Sequence, residues 1–288
     1  VFAGVGGNRA FITAARRGQN HPDDTVNETQ RPGLGRADVW VFDTTNLGIA
    51  PGGNPLSIVT LLADKPGAMT VSEDGRTVFV SIFTSGNKTS VINDSAVCDA
   101  NDRAGQGGSE LSAQNDGPCR LPNGGTAPGG VPAPNVNQVD GRANPRTGII
   151  VENNPATGAW LDAANRDWRS AVKFTLPDND VFAIDAMANP PRQSAVFQAV
   201  GTLNKSLAVN PTSGKLCVAT IEAINQNRFI SLPTMGLVPN PNRVGGAATT
   251  ADPLTGATLN GHLYESRVAI LEPGRPVVTR HLNKHINY

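Results

Sequence analysis

Short apolar runs in which every second residue repeats its character recur along the chain, separated by stretches rich in Gly, Pro, Asn and Asp. A period of two puts like residues on one face of a β-strand, so each run predicts a half-buried strand. The clearest stretch is Ala68–Asn93, AMTVSEDGRTVFVSIFTSGNKTSVIN. Val71 leads into Glu73-Asp74-Gly75-Arg76, where Asp-Gly supplies the positive φ of a hairpin turn. Val78, Val80 and Ile82 then alternate with Phe79, Ser81 and Phe83, and Val91-Ile92 closes a third strand. This strand, turn, strand, loop, strand cycle predicts one blade of a β-propeller.

The same pattern predicts strands at RAFITAAR (9–16), ADVWVFDTT (37–45) and SIVTLLA (57–63). It continues at GIIVEN (148–153), WLDAANRDW (160–168, a hairpin about Asn165), SAVKFTL (170–176) and DVFAIDA (180–186). SLAVNPTSGKLCVATIE (206–222), SRVAILE (266–272) and PVVTRHL (276–282) complete the set. One strand type recurs as DVWVFD, KTSVIN, DVFAID and SRVAIL, and its partner as RAFITAA, RTVFVSI and KLCVATI. A sheet built from such a repeat cannot bury both faces alone, so neighbouring repeats must cover it. The expectation is an all-β fold, a single β-propeller domain over 1–288 interrupted by an irregular insertion at 94–147. About three to four blades are counted where a closed propeller typically has 4–8. Hence the further expectation that the chain is a fragment, with closing blades after Tyr288.

Composition sharpens this picture. Gly 31 and Pro 22 together make 53 of 288 residues, against roughly 12% in average usage, which suits many strands joined by turns. Lys+Arg and Asp+Glu are both 24, and that balance argues against a nucleic-acid partner held by bulk charge. No apolar run approaches the roughly 18 residues that would span a bilayer as a helix.

Several motifs are absent or incomplete. GVGGN near the start precedes a strand where a dinucleotide fingerprint would need a helix. The glycine-rich insertion carries no Gly-Lys-Ser/Thr phosphate loop. Asp99, Asn101 and Asp102 hint at calcium, but Arg103 takes the third acidic place of that loop. Ser72, Ser81 and Ser90 stand outside any nucleophile elbow. Cys98 and Cys119 flank a polar stretch with no hydrophobic pattern; a disulfide closing it suits an oxidising compartment, and the alternative is two unrelated thiols. Cys217, in KLCVAT, reads as a buried free thiol.

LAVNPTSGKLCVAT, and MTVSEDGRTVFVS followed by TSVIND, resemble the YVTN-type β-propeller repeat of secreted and cell-surface bacterial and archaeal proteins. This chain has Cys-Val-Ala and Phe-Val-Ser where the family name has Tyr-Val-Thr-Asn. ADVWVFD, LPDNDVFAIDA, GHLYESRV and RHLNKHINY resemble a subgroup of large exported bacterial propeller proteins, some of which carry cytochrome c-like domains. The resemblance implies a periplasmic or extracellular location and the company of a redox domain. It implies no reaction. No Cys-x-x-Cys-His occurs, so no covalent haem is expected on this chain.

Two groups carry candidate chemistry. His262, Glu265, His281 and His285, with Arg267 among them, collect three of the four histidines near the C-terminus. His281 and His285 share a face in a strand or a helix, and imidazoles so placed can ligate a transition metal. The competing readings are a polar loop of hydrogen-bonding residues and an acid/base role. The second group is Arg16, Arg17, Asn20 and His21 after the first strand, with Glu222, Asn225 and Arg228 at the matching exit of KLCVATI. Loops leaving one end of a rigid scaffold commonly bind ligands. The function expected is an exported binding or scaffold module with a protein or redox partner. The alternative is a metal-dependent oxidoreductase or a lactonase-like hydrolase with its site at the propeller mouth.

Overall fold

The structure is a computed structural model and describes residues 1–15, 37–93, 96–98, 118–121, 123–130, 148–162, 164–172, 175–223 and 264–283. Its strands begin with β1 (Phe2–Ala3), β2 (Arg9–Ala15), β3 (Ala37–Asp43), β4 (Pro55–Leu61), β5 (Pro66–Val71) and β6 (Thr77–Ile82). Then come β7 (Thr89–Ile92), β8 (Cys119–Arg120), β9 (Thr126–Ala127), β10 (Ile149–Asn154) and β11 (Ala159–Leu161). The last are β12 (Val181–Asp185), β13 (Arg192–Phe197), β14 (Leu203–Val209), β15 (Leu216–Ala223), β16 (Tyr264–Leu271) and β17 (Val278–His281). As the alternation predicts, the fold is all-β. Every strand pair is antiparallel. Among the described residues no helix is long and apolar enough to cross a membrane.

The chain divides into two compact units. The first comprises Val1–Asn87, Leu176–Ala223 and Tyr264–Asn287. It holds three four-stranded sheets, ordered β1-β2-β3-β4, β13-β12-β6-β5 and β14-β15-β16-β17. Each is a meander whose second and third strands come from the recurring pair read in the sequence. The second sheet corrects that reading at one place. KTSVIN does not join RTVFVSI; its strand β7 pairs with β10 in another sheet. The partner of β6 is β12, Phe182 opposite Val80 and Ile184 opposite Val78, so residues 83–180 separate two neighbouring strands. KTSVIN and DVFAID alternate alike, and closing a longer loop adds only slowly to the entropic cost, so pattern alone could not choose between them.

The second sheet shows why alternation matters. Val78, Val80, Ile82, Phe182 and Ile184 point to one side, into a core with Phe11, Val39, Val41, Val59 and Leu61 of the first sheet. Phe79, Val181 and Ala183 point to the other, into a core with Leu216, Val218, Ala269 and Leu271 of the third. The inner strands β6 and β12 of the middle sheet are therefore buried on both faces, and each neighbouring sheet covers one of them. Its β5–β6 turn is fixed by Asp74, whose Oδ1 accepts hydrogen bonds from Ser72 Oγ at 2.6 Å and the Arg76 N–H at 3.0 Å. Gly75 there has φ 70°, as the Asp-Gly signature predicts.

The second unit comprises Lys88–Thr175 with Ile224–Leu263 and Tyr288. Its sheet has three strands, ordered β11-β10-β7, beside the pair β8-β9. Cys98 and Cys119 are joined by a disulfide, S–S 1.98 Å. Both are buried with Val97, Leu121 and Ala127, so the residues beside the polar stretch contribute core that the sequence pattern does not show. Trp168 is fully buried, and its indole Nε1 donates to Asp162 Oδ2 at 2.8 Å. Arg166 binds the same carboxylate through Nε at 2.8 Å and lies over the Trp168 ring, 5.5 Å from its centroid. The expected strand at 170–176 is absent among the described residues there: 170–172 form a turn whose Ala171 and Val172 N–H groups donate to the Trp168 carbonyl.

Candidate functional site

Hydrogen bonds fix which ends of the three stacked sheets coincide. The turn before β2 lies beside the turn before β6, because the Gly4 N–H donates to the Gly75 carbonyl at 2.9 Å. The C-terminal ends of β2 and β6 therefore share the opposite end. The exit of β6 lies beside the exit of β15, because Asn87 Nδ2 donates to the Ala223 carbonyl at 3.3 Å. In every sheet the longest connection runs from second to third strand: residues 16–36, 83–180 and 224–263. All three thus leave from one end of the first unit.

A polar cluster sits at that end. On the face of β15 that meets the middle sheet, Leu216 and Val218 give way to Thr220 and Glu222; in β16, Leu271 and Ala269 give way to Arg267 and Glu265. Glu222 stands opposite Glu265, Thr220 opposite Arg267, and Arg267 opposite His281. Residues two apart in a strand share a face, so all five lie on one face. Arg267 donates through Nε to Glu265 Oε2 at 2.6 Å, and the pair is largely buried, with side-chain exposures of 23% and 18%. Glu222 accepts a hydrogen bond from Thr202 Oγ1 at 3.3 Å. Burial raises its carboxyl above the ordinary range, against the pull of Arg267 and Thr202 and with a further push from Asp178.

Asp180, at the entry of β12, is fully buried. Its Oδ2 accepts the Val200 N–H at 2.6 Å and the Gly201 N–H at 3.4 Å. Its Oδ1 has no hydrogen-bond partner among the described residues. Burial pushes this carboxyl up to about 7; the Ser85 hydroxyl and the Val200 and Gly201 N–H groups pull it down, and Asp178 pushes it up. Asn204 is also fully buried, donates Nδ2 to the Ile82 and Gly201 carbonyls, and its Oδ1 has no partner among the described residues. Only glycine fits at 201: a Cβ there would collide with Thr220 Oγ1.

The structure brings Glu222, Glu265 and His281 together, although the sequence placed Glu222 in one group and the other two in another. Glu265 is engaged by Arg267, which also stands opposite His281 in the ladder, so a cation lies where a metal would need donors. No group of three or more metal-ligating side chains occurs among the described residues. Arg16, Arg17, Asn20, His21, Asn225, Arg228, His262 and His285 lie outside the described residues. Cys217 is a free thiol but half-buried where full burial was expected, because no described sheet covers its face.

Sequence reasoning missed Asp178, Asp180, Thr202 and Asn204. One signal was available. DVWVFD and DVFAID both open with Asp, and the two aspartates hold the same ladder place. Asp38 stands opposite Ala14, and the Asp180 carbonyl accepts the Ile82 N–H. Both are buried. In β16 that place belongs to Arg267, opposite Thr220.

Chemically, the cluster offers two carboxyls that hold protons more tightly than usual, one guanidinium and several hydroxyl and amide groups. No family model matches the chain, and no curated protein matches it. Among solved structures, the chain is similar to Kuenenia stuttgartiensis hydrazine synthase at 12% identity and a TM-score of 0.26, over 93% of this chain and 71% of that one; a likeness at that level carries no argument about fold or activity.

Proposed function

We propose that the chain is a binding module of an exported β-propeller protein, its stacked four-stranded sheets serving as blades. One observation carries the reading: three long connections leave the same end of the stack, beside a buried polar cluster. Rigid sheets that hold long loops at one end are a common binding architecture, because the scaffold bears the ordering and the loops supply the contacts. The Cys98–Cys119 disulfide supports an oxidising compartment. The partner class is a protein, with a c-type cytochrome domain as the redox candidate. The test is calorimetric titration with a soluble c-type cytochrome. Binding that disappears when residues 224–263 are replaced by a short Gly/Ser linker is expected; unchanged binding sinks the assignment of that connection, and no binding sinks the redox partner.

A second reading, a hydrolase, is favoured by the proton-holding carboxyls Asp180 and Glu222, since an acid poised near neutral pH can protonate a leaving group. Lactone hydrolysis with a pH profile that moves in Glu222→Gln would support it. Absence of turnover on a panel of lactones would remove it. The metal-dependent version requires a bound transition metal that is lost in both His281→Ala and His285→Ala.

A further inference from the structure

Each sheet in the stack has a rear face, toward the sheet before it, and a forward face, toward the sheet after it. The ladder registers give the equivalent positions. Ile12, Val80 and Val218 hold one place on the rear face, opposite Trp40, Phe182 and Ala269. Phe11, Phe79 and Cys217 hold the matching place on the forward face, opposite Val41, Ala183 and Ile270. Where a neighbouring sheet is present these positions are closed: Val80 and Val218 are 0% exposed, Phe11 0% and Phe79 7%.

On the two outer faces, where no described sheet is the neighbour, Ile12, Trp40, Cys217 and Ile270 at the same positions are more exposed, although Asp38 and Phe42 of the first sheet's rear face are buried. On the rear face of the first sheet Ile12 is 53% exposed, Ile58 38% and Phe2 68%. A hollow of about 510 Å³ opens there against Ile12, Trp40, Phe42 and Leu47. On the forward face of the third sheet Cys217, Val268 and Ile270 are half-buried and Ala219 is exposed. Within the first unit no described sheet lies behind the first sheet or ahead of the third.

We propose that a second copy of this chain covers both faces, the rear face of the first sheet of each copy seating on the forward face of the third sheet of the other. Rear on forward is how both contacts between the four-stranded sheets of the first unit are made, and among the described residues one rear and one forward face are left over. The new contact continues an interface type the chain already builds twice. It is heterologous, so two copies satisfy it only if the rotation closes. Two sets of three sheets give a ring of six, within the range of closed propellers. The proposal rests on the stacking of the sheets as blades and not on what the connections bind.

The internal contact also says where a crosslink must form. Phe11, at the forward place of Cys217, shares a core with Val78 and Val80, at the rear places of Ala10 and Ile12. Cys217 of one copy therefore faces Ala10 and Ile12 of the other, while within one copy these positions lie on opposite outer faces. The experiment is sedimentation of the full chain at tens of micromolar, together with Ile12→Cys under mild oxidation. The expected result is twice the chain mass, a covalent dimer in Ile12→Cys that is lost when Cys217→Ala is added, and dissociation in Ile12→Lys. Ile12 is exposed, so its variants leave the sheet's own core intact, and circular dichroism checks this. A monomer, an open series of larger species, or a dimer that resists Ile12→Lys overturns the proposal. A monomer would leave the open faces to sheets from outside these residues, and the binding reading would stand.

Discussion

The two units bury β-sheet by different means. In the first, sheets cover sheets: alternate residues of β6 and β12 feed two cores, and these two inner strands have no solvent face. Among the described residues of the second, a three-stranded sheet meets only the two-stranded pair β8-β9, and its core is closed by Val97, Cys98, Cys119, Leu121, Ala127 and Trp168 from irregular chain and short strands. Irregular chain brings backbone groups and side chains with no ladder to bind them, so it needs other fastenings. The disulfide and the Asp162 carboxylate, shared by Trp168 and Arg166, supply them. The difference teaches that a repeated sheet is covered by its own repeat, whereas a sheet outside the repeat depends on particular residues.

The sharpest way to break this comparison is to damage one unit and watch both. Phe182→Ala removes a ring from the core between the first and second sheets, where Phe182 is 1% exposed. The expected loss is about 4 kcal/mol in the first unit's unfolding. In a Trp40→Phe background the remaining tryptophans, Trp160 and Trp168, both lie in the second unit and report its transition alone. Their transition should stay in place. The reciprocal change is Cys98→Ser, which opens a crosslink of sequence separation 21. Chain entropy sets the expected loss at about 3 kcal/mol, confined to the second unit. If either variant moves both transitions equally, the units are one cooperative body and the comparison fails.

Acid strength separates the first unit further, since its polar cluster holds Asp180. The folded pKa, about 7, lies above the ordinary value of 3.8. The folded state therefore binds the proton more tightly than the unfolded state. The stabilisation is present below the unfolded value and is lost as pH rises through the folded one. About 2 kcal/mol should disappear between pH 5 and pH 6.5, at roughly 1.36 kcal/mol per pH unit for one proton. Asp180→Asn should flatten that part of the profile, because an amide can still accept the Val200 and Gly201 N–H bonds and carries no charge. Denaturant titrations of both proteins across that range decide it, and equal slopes would place the proton elsewhere.

Much of the fold was legible because alternation is a local property. RAFITAA, DVWVFD, RTVFVSI, DVFAID, KLCVATI and SRVAIL are the second and third strands of the three stacked sheets. Strand pairing was less legible, because pairing is not local: β6 finds β12 across residues 83–180, and KTSVIN looks like DVFAID on paper. The edge strand β13 escaped notice, since RQSAVF keeps its polar residues toward solvent and shows a weak pattern. At the candidate site, Glu222 and Glu265 were visible as charges at strand ends. Asp180 was not singled out, because its burial comes from the close approach of the turn at 199–202, which depends on Gly201 having no Cβ.

The smallest expected effect is the most specific test of that site. Glu222 is raised by burial, as Asp180 is, but Arg267 and Thr202 oppose the rise. Its ionisation also costs stability as pH increases above the ordinary glutamate range, by less than Asp180 costs. Glu222→Gln should therefore remove only a minor part of the pH slope. Arg267→Met turns the comparison around. Without the guanidinium, Glu222 loses its main attraction and is pushed higher still by its burial and by Asp178. The slope should steepen in Arg267→Met, and adding Glu222→Gln should relieve part of that increase. A slope unchanged by Arg267→Met would mean that the cation does not act on these carboxyls, and the polar end of the third sheet would then be a set of separate groups with no shared electrostatics.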